Sequence, residues 1–251
     1  MRTLAFVPAR SGSKSVPNKN IRPVAGVPLL HYTVRCAVRS GLFPETLVST
    51  DERSYLAGLA ELGAGTDYLR PPALAQDDSP TLPVVLHALD WLLGRGTPAF
   101  EAVMILQPTA PFRAADHLRR ALELLEANPE ADSVVGICRL ADHHPARIKK
   151  LDGPWLRDFC VPEPDGSRRQ DLKPPAYIRN GTIYLSRMST LRGKNSILGN
   201  RVLGLEMPEA NSINVDTELD FLLAEAALRH PPYSADMAFF RDFAASRGAS
   251  R

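Results

Sequence analysis

A mostly parallel α/β sheet covered on both faces is the fold class predicted for this sequence of 251 residues. Three observations predict it. Short apolar runs alternate repeatedly with segments of helical periodicity, several of the runs read as buried strands that end in polar loops, and 44% hydrophobic content suits one substantial core.

Taken in order, residues 3–8 form a short apolar run that ends in the loop FVPARSGSKSVPNKN, and residues 28–40 follow with helical spacing at Leu29, Leu30, Thr33, Val34 and Ala37 before Gly41. ETLVSTD reads as a second strand ending in Asp51. A helix is expected over residues 53–62, with Gly63 as its stop signal, and TDYL as a short third strand. After the Pro-rich turn RPPALAQDDSPT, residues 82–93 have helical periodicity, and EAVMILQPTAP is an apolar strand running into a polar loop. A helix over about 114–127 and the buried strand DSVVGICRL come next. Residues 139–178 break the rhythm with six prolines and read as an excursion from the core. The core resumes at IRNGTIYLS and NRVLGLEMP. It ends in SINVDTELDFLLAEAAL, where Leu219, Leu222, Leu223 and Ala226 mark an amphipathic helix. One domain over 1–230 and a tail over 231–251 are therefore expected.

A formal net charge of +2, with no basic block, argues against non-specific binding to nucleic acid or a membrane surface. The longest apolar runs fall far short of the roughly 18–20 residues of a membrane span, and TLAFVPA is too short for a signal peptide. Cys36, Cys138 and Cys160 show neither a disulfide framework nor zinc-ligand spacing. A cytoplasmic location is the resulting expectation.

The opening loop carries Arg10, Lys14 and Lys19 around Gly12. A backbone turning through glycine after a strand presents N–H groups to phosphate, and three cations suit a triphosphate; a solvated basic turn is the alternative. Neither GxxxxGK[ST] nor GxGxxG is present. Asp51, Gln107 with Thr109, Arg179 with Asn180, and Asn214 with Asp216 also stand where strands finish, and a parallel sheet gathers such ends along one edge. Singly, Asp51 and Asp216 are equally plausible helix N-caps, and Asn180-Gly181 is a common turn dipeptide.

VPARSGSKSVPNKN, VSTDE, LRPPALAQDDSPT, LQPTAPFR, RRQDLKPPAYIRNGTIYL and INVDTELDF occur in that order over about residues 4–225. Together they resemble the successive motifs of acylneuraminate cytidylyltransferases, the CMP-sialic acid synthetases. The resemblance implies a Rossmann-like nucleotidyltransferase fold and a homodimer formed through the excursion at 139–178. It also implies transfer of CMP from CTP to a nine-carbon 2-keto sugar acid, a nonulosonic acid, with release of pyrophosphate.

On that resemblance Arg10, Ser11, Gly12, Ser13 and Lys14 match a phosphate-binding loop, with Lys19 and Asn20 beside the nucleotide. Arg70, Ser79 and Thr81 match residues around cytosine and ribose. Gln107, Arg169, Asn180 and Tyr184 match positions on the sugar side, Arg169 either in its own site or reaching in from a dimer partner. Asp216 matches a Mg²⁺ ligand, and Asn214 stands where well-known members have a second aspartate. Three alternatives are weaker. A Kdo cytidylyltransferase typically has Lys-Pro at positions 19–20, a sugar-1-phosphate nucleotidyltransferase is expected to open on GGxGTR, and a silent nucleotide-binding assembly protein draws support only from Asn214.

Overall fold

The computed structural model describes residues 1–140 and 142–229. The tail expected over 231–251 lies outside the described residues.

The chain builds β1 (Thr3–Pro8), β2 (Pro23–Val24), β3 (Val27–Pro28), α1 (Leu29–Arg39) and β4 (Glu45–Ser49). Next come α2 (Thr81–Gly94), β5 (Ala102–Ile105), α3 (Ala115–Ala127), β6 (Ser133–Arg139), β7 (Lys149–Asp152) and β8 (Trp155–Asp158). It closes with β9 (Tyr177–Arg187), β10 (Val202–Glu206) and α4 (Glu218–Arg229). Six strands form the central sheet in the order β10-β6-β9-β5-β1-β4. β1 pairs in parallel with β4 and β5, and β10 with β6, while β9 runs antiparallel to both β5 and β6.

Alternation along β1 sets the two sides of the core. Ala5 and Val7 face α1 and α3 through Leu30, Val34, Leu118 and Leu125, whereas Leu4 and Phe6 face α2 through Val85, Leu89 and Leu92. A third apolar cluster joins Val24 and Val27 of the β2–β3 hairpin to Tyr32, Phe112 and the buried side of α4. The sheet is thus covered on both faces as expected, and the carboxyl ends of its strands are left to the loops.

Four expectations need correction. Residues 53–62 are not one helix: a 3-10 turn over Arg53–Leu56 is followed by turns, because Gly58 takes φ 73°, a left-handed value that ends helical propagation. TDYL is not a strand. Only Gly65, just before it, bridges to Leu47 of β4. Asn180-Gly181 is not a turn but an irregularity inside continuous β9, with Gly181 at φ 71° and a register shift opposite Val135–Ile137. Finally, α4 buries Phe221, Ala224, Ala227 and Leu228, and leaves Leu219, Leu222 and Leu223 exposed. The bulky Phe221 and the small alanines fit against the β2–β3 hairpin, so the leucine stripe is turned outward.

The excursion carries the isolated β7–β8 hairpin. Leu151, Trp155, Leu156, Phe159 and Val161 are exposed there, as is the thiol-bearing Cys160.

Candidate active site

The ends of β5, β1 and β4 lie side by side, and the loops leaving them enclose a hollow of about 310 Å³. Arg10, Ser13, Lys19 and Asn20 come to it from the opening loop, and Arg70 from the segment after β4. Ser79 comes from the turn before α2 and Thr81 from its first residue, Gln107 and Thr109 from the loop after β5, and Asp216 from the turn into α4.

Each residue is placed by local chemistry. Ala9 continues the β1 ladder by donating its N–H to the Ser49 carbonyl at 2.8 Å, after which the chain turns through Gly12 at φ 68°. Asp51 fixes that turn: Ser11 donates to its carboxylate from the amide at 2.8 Å and from the hydroxyl at 2.6 Å. Partial burial alone would raise the Asp51 carboxyl, but the two Ser11 donations outweigh it and hold it below the ordinary value. Ser11 therefore braces the loop, with its own amide already committed. Asn20 is buried and donates to the Arg10 carbonyl at 3.0 Å while still bordering the hollow.

The cations converge. Arg10 Nη2 and Lys14 Nζ both reach the Asp77 carboxylate, at 2.9 and 2.5 Å, so the two side chains can close on one anionic group. Lys14 is otherwise the more exposed of the pair, at 81% against 30%. Lys19, only 11% exposed, pairs with Asp216 at 2.7 Å. Arg70 is buried against Ser49, donating to its hydroxyl at 3.0 Å and its carbonyl at 2.7 Å, and burial lowers its pKa.

Asp216 is free to meet Lys19 because it is not the helix cap. Thr217 and Asp220 close the helix start between them. The Asp220 carboxylate accepts from the amides of Asp216 and Thr217 at 2.9 and 2.7 Å, and Thr217 Oγ1 accepts from the Asp220 amide at 3.3 Å. Likewise Glu52, not Asp51, caps the short turn after β4. Asn214 accepts from Thr109 Oγ1 at 3.3 Å. A Cβ on Gly181 would lie 3.1–3.2 Å from Gln107 and Asn214, so glycine lets these two amides crowd the strand.

Gln107 and Thr81 also border a second chamber of about 820 Å³ that contains Arg179, Tyr184 and the loop 195–199. Ser11, Gly12, Lys14 and Asn214 flank the hollows without lining them, and of the four residues matched to the sugar side two stand apart from both. Asn180 is buried, accepts from Thr182 and donates to Ser212 Oγ at 2.9 Å, which makes it a brace within β9. Arg169 borders a separate depression with Arg139 and His144. His144 is buried: Nδ1 accepts from the Ala146 amide at 3.2 Å and Nε2 lies 2.9 Å from the Pro174 carbonyl.

Sequence reasoning overlooked Asp77, although it lies within RPPALAQDDSPT, and Arg113, the last residue of LQPTAPFR. It also missed loop 195–199, where no motif signals a wall. Among the described residues, no three His, Cys, Asp or Glu side chains cluster as a metal cage. The donor set of Asp216, Asn214 and the Thr109 hydroxyl still suits Mg²⁺, which binds through one or two carboxylates and fills its shell with phosphate oxygens and water.

A family model described as "Cytidylyltransferase" matches residues 4–192. The chain is 30% identical over 224 residues to an N-acylneuraminate cytidylyltransferase of Streptococcus agalactiae, an alignment covering 88% of this chain and 52% of that protein. It thus spans about half the length of that relative. It is 32% identical over 235 residues to a CMP-N,N'-diacetyllegionaminic acid synthase of Legionella pneumophila, covering 90% of this chain and 95% of the relative. Among solved structures, a CMP:2-keto-3-deoxy-manno-octonic acid synthetase complexed with CTP has the same fold. Its TM-score is 0.66 at 13% identity, covering 91% of this chain and 99% of the other. Sequence, sheet order and strand-end loops thus lead to one conclusion: the chain belongs to the cytidylyltransferase family.

Proposed function

We propose that the chain is a CTP:nonulosonic acid cytidylyltransferase. The observation that carries this reading is the convergence of Arg10, Lys19 and Arg70 on one strand-end hollow that continues past Gln107 into a second chamber. The first hollow suits the nucleotide. Arg10 and Lys14 would bind its phosphates, and Arg70, Ser79 and Thr81 its cytosine and ribose. The larger chamber, with Arg179 available for a carboxylate and Tyr184 for hydroxyl or acyl groups, suits a sugar acid.

In that arrangement the anomeric hydroxyl of the sugar acid attacks the α-phosphorus of CTP in line and gives up its proton to solvent, forming the new O–P bond as the bond to pyrophosphate breaks. The chain's contribution is positioning and charge: Gln107 stands where the chambers meet, and Arg10 and Lys14 stabilise the charge building on the departing pyrophosphate. A Mg²⁺ ion, when bound, supplies further neutralisation of the phosphates. Asp216 would hold it with the Asn214 amide oxygen alongside, and Lys19 would exchange its Asp216 partner for phosphate.

A homodimer through the excursion belongs to the same reading, supported by the exposed Leu151, Trp155, Leu156 and Phe159 on a hairpin too thin to bury them. A partner covering this arm could also bring Arg169 toward a site. A cytoplasmic setting is supported by three unpaired thiols, and no helix among the described residues is long and apolar enough to cross a membrane.

The test is pyrophosphate release from CTP with a panel of N-acetylneuraminic, legionaminic, pseudaminic and Kdo acids. Release with at least one nine-carbon acid, well above Kdo, is expected. Release with none, or with Kdo alone, would overturn the reading.

A further inference from the structure

The outer wall of the second chamber is the loop 195–199, which belongs to no strand or helix. An irregular wall of this kind must be held by side chains, and the source of its order is specific. Ser133 Oγ donates to the Leu198 carbonyl at 2.6 Å, Ser186 Oγ donates to the Ile197 carbonyl, and Ser196 Oγ accepts from the amides of Leu198 and Gly199 at 3.2 and 2.9 Å. These bonds pin the middle.

Both ends are tied to a single carboxylate. Asp132, buried just before β6, pairs with Lys194 Nζ through both oxygens at 2.7 and 2.8 Å. Its Oδ2 also accepts from the amides of Asn200 and Arg201 at 2.8 and 3.1 Å. Lys194 immediately precedes the wall, and Asn200 and Arg201 immediately follow it. The approach is so close that a Cβ on Gly199, which sits at φ 69°, would lie 2.5 Å from Oδ2. Asp132 is itself rigidly placed: its amide donates to the Arg201 carbonyl at 2.8 Å, and its carbonyl accepts from Thr190 Oγ1 at 3.0 Å.

We propose that Asp132 is a positioning residue for the sugar-acid end of the site, setting the depth of the second chamber by clamping both ends of its outer wall. Discrimination among acids that differ in their distal acyl groups would then depend on a carboxylate that touches none of them. The inference rests on the function proposed above. Asparagine at this position keeps the shape but loses the ion pair with Lys194, and one of its two terminal atoms can no longer accept.

The experiment compares the parent with Asp132→Asn and Lys194→Gln, using the preferred acid and a second acid with a different acyl group. For Asp132→Asn we expect KM for the preferred acid to rise about tenfold and the preference between the two acids to shrink, with kcat and KM for CTP changed less than about twofold. Lys194→Gln should move the same constants in the same direction by less, and it carries the test if Asp132→Asn does not fold. Amide hydrogen exchange at Asn200 and Arg201, which needs no substrate, should quicken about tenfold or more in Asp132→Asn. Folded variants with unchanged sugar-acid KM and unchanged preference would overturn the inference, even with faster exchange. A parent inactive with every acid sinks the functional reading instead, and this inference with it.

Discussion

The guanidinium of Arg113, fully buried, donates from Nη2 to the main-chain carbonyl of Gln107 at 2.6 Å. Its Nε and Nη1 reach the Thr182 carbonyl at 2.9 Å and the Thr33 hydroxyl at 2.8 Å, so one side chain ties the loop after β5 and the middle of β9 to α1. No carboxylate pairs with it among the described residues, and burial pulls its pKa down to about 10. Arg113→Ala would leave the Thr182 carbonyl and the Thr33 hydroxyl without this buried donor, each costing about 1–3 kcal/mol, while the Gln107 carbonyl keeps the Ala110 amide; it should lower the unfolding free energy by roughly 2 kcal/mol or more. Urea denaturation of the variant checks this; a loss below about 1 kcal/mol would show that water replaces the guanidinium.

Asp77 occupies the two cations of the opening loop that a triphosphate would use. Asp77→Asn should therefore lower KM for CTP several-fold and strengthen inhibition by pyrophosphate. Lys14→Ala should cut kcat/KM by roughly 10²–10³, the scale of a lost charge stabiliser. Initial-rate kinetics on both variants give the comparison, and identical signs would refute it.

Asp216→Asn removes the carboxylate nearest the proposed metal and the partner of Lys19. Most turnover should disappear while CTP still binds through Arg10 and Lys14. Rates across a Mg²⁺ titration, with calorimetry for CTP, separate the two effects. Full activity in excess EDTA would dispose of the metal proposal.

Acid should release the Asp132 clamp. The Lys194 ammonium, assisted by the Asn200 and Arg201 amides, pulls this carboxyl down to about 2 from an ordinary 3.8. A depressed carboxyl stabilises the fold above its unfolded pKa, and that contribution fades as pH falls from about 4 to about 2. Denaturation midpoints measured from pH 6 to pH 3 should fall less steeply below about pH 4 for Asp132→Asn than for the parent. Parallel curves would contradict the assignment.

Much of this architecture was legible in the sequence because apolar runs and their polar terminations are local signals. The strands at 3–8, 45–49, 102–105 and 133–139 and the loops that follow them needed no long-range information. The direction of β9 did need it. The excursion hands the chain back at the carboxyl edge of the sheet, so the strand that resumes the core has to run backward, and nothing within IRNGTIYLS encodes that. The Asn180-Gly181 bulge was hidden for a related reason: Gly136, across the pair, leaves room where a Cβ would lie 2.3 Å from Thr182 Oγ1. On α4 the longest aliphatic side chains pointed to the wrong face, since Arg22 lies over the Phe221 ring at 4.4 Å and fixes the helix the other way round. At the site, the motif residues identified most of the first hollow. Asp132 and loop 195–199 were invisible because their relationship spans some sixty residues.

The hairpin arm also yields an assembly test. If the proposed dimer forms through this arm, Leu156→Glu should give a monomer at concentrations where the parent associates, because a charge in the arm's apolar surface would disfavour a partner. Light scattering that finds the parent monomeric at micromolar concentration counts against the dimer outright.

The thiols set out a natural labelling scheme. Cys36 is buried, donates to the Arg113 carbonyl at 3.1 Å and is pushed up to about 12 by desolvation, and Cys138 is buried as well. Cys160 is the exposed one, between Phe159 and Val161 on the arm. A maleimide dye should therefore attach at a single place without mutagenesis, and its emission would follow whatever comes to rest against that arm.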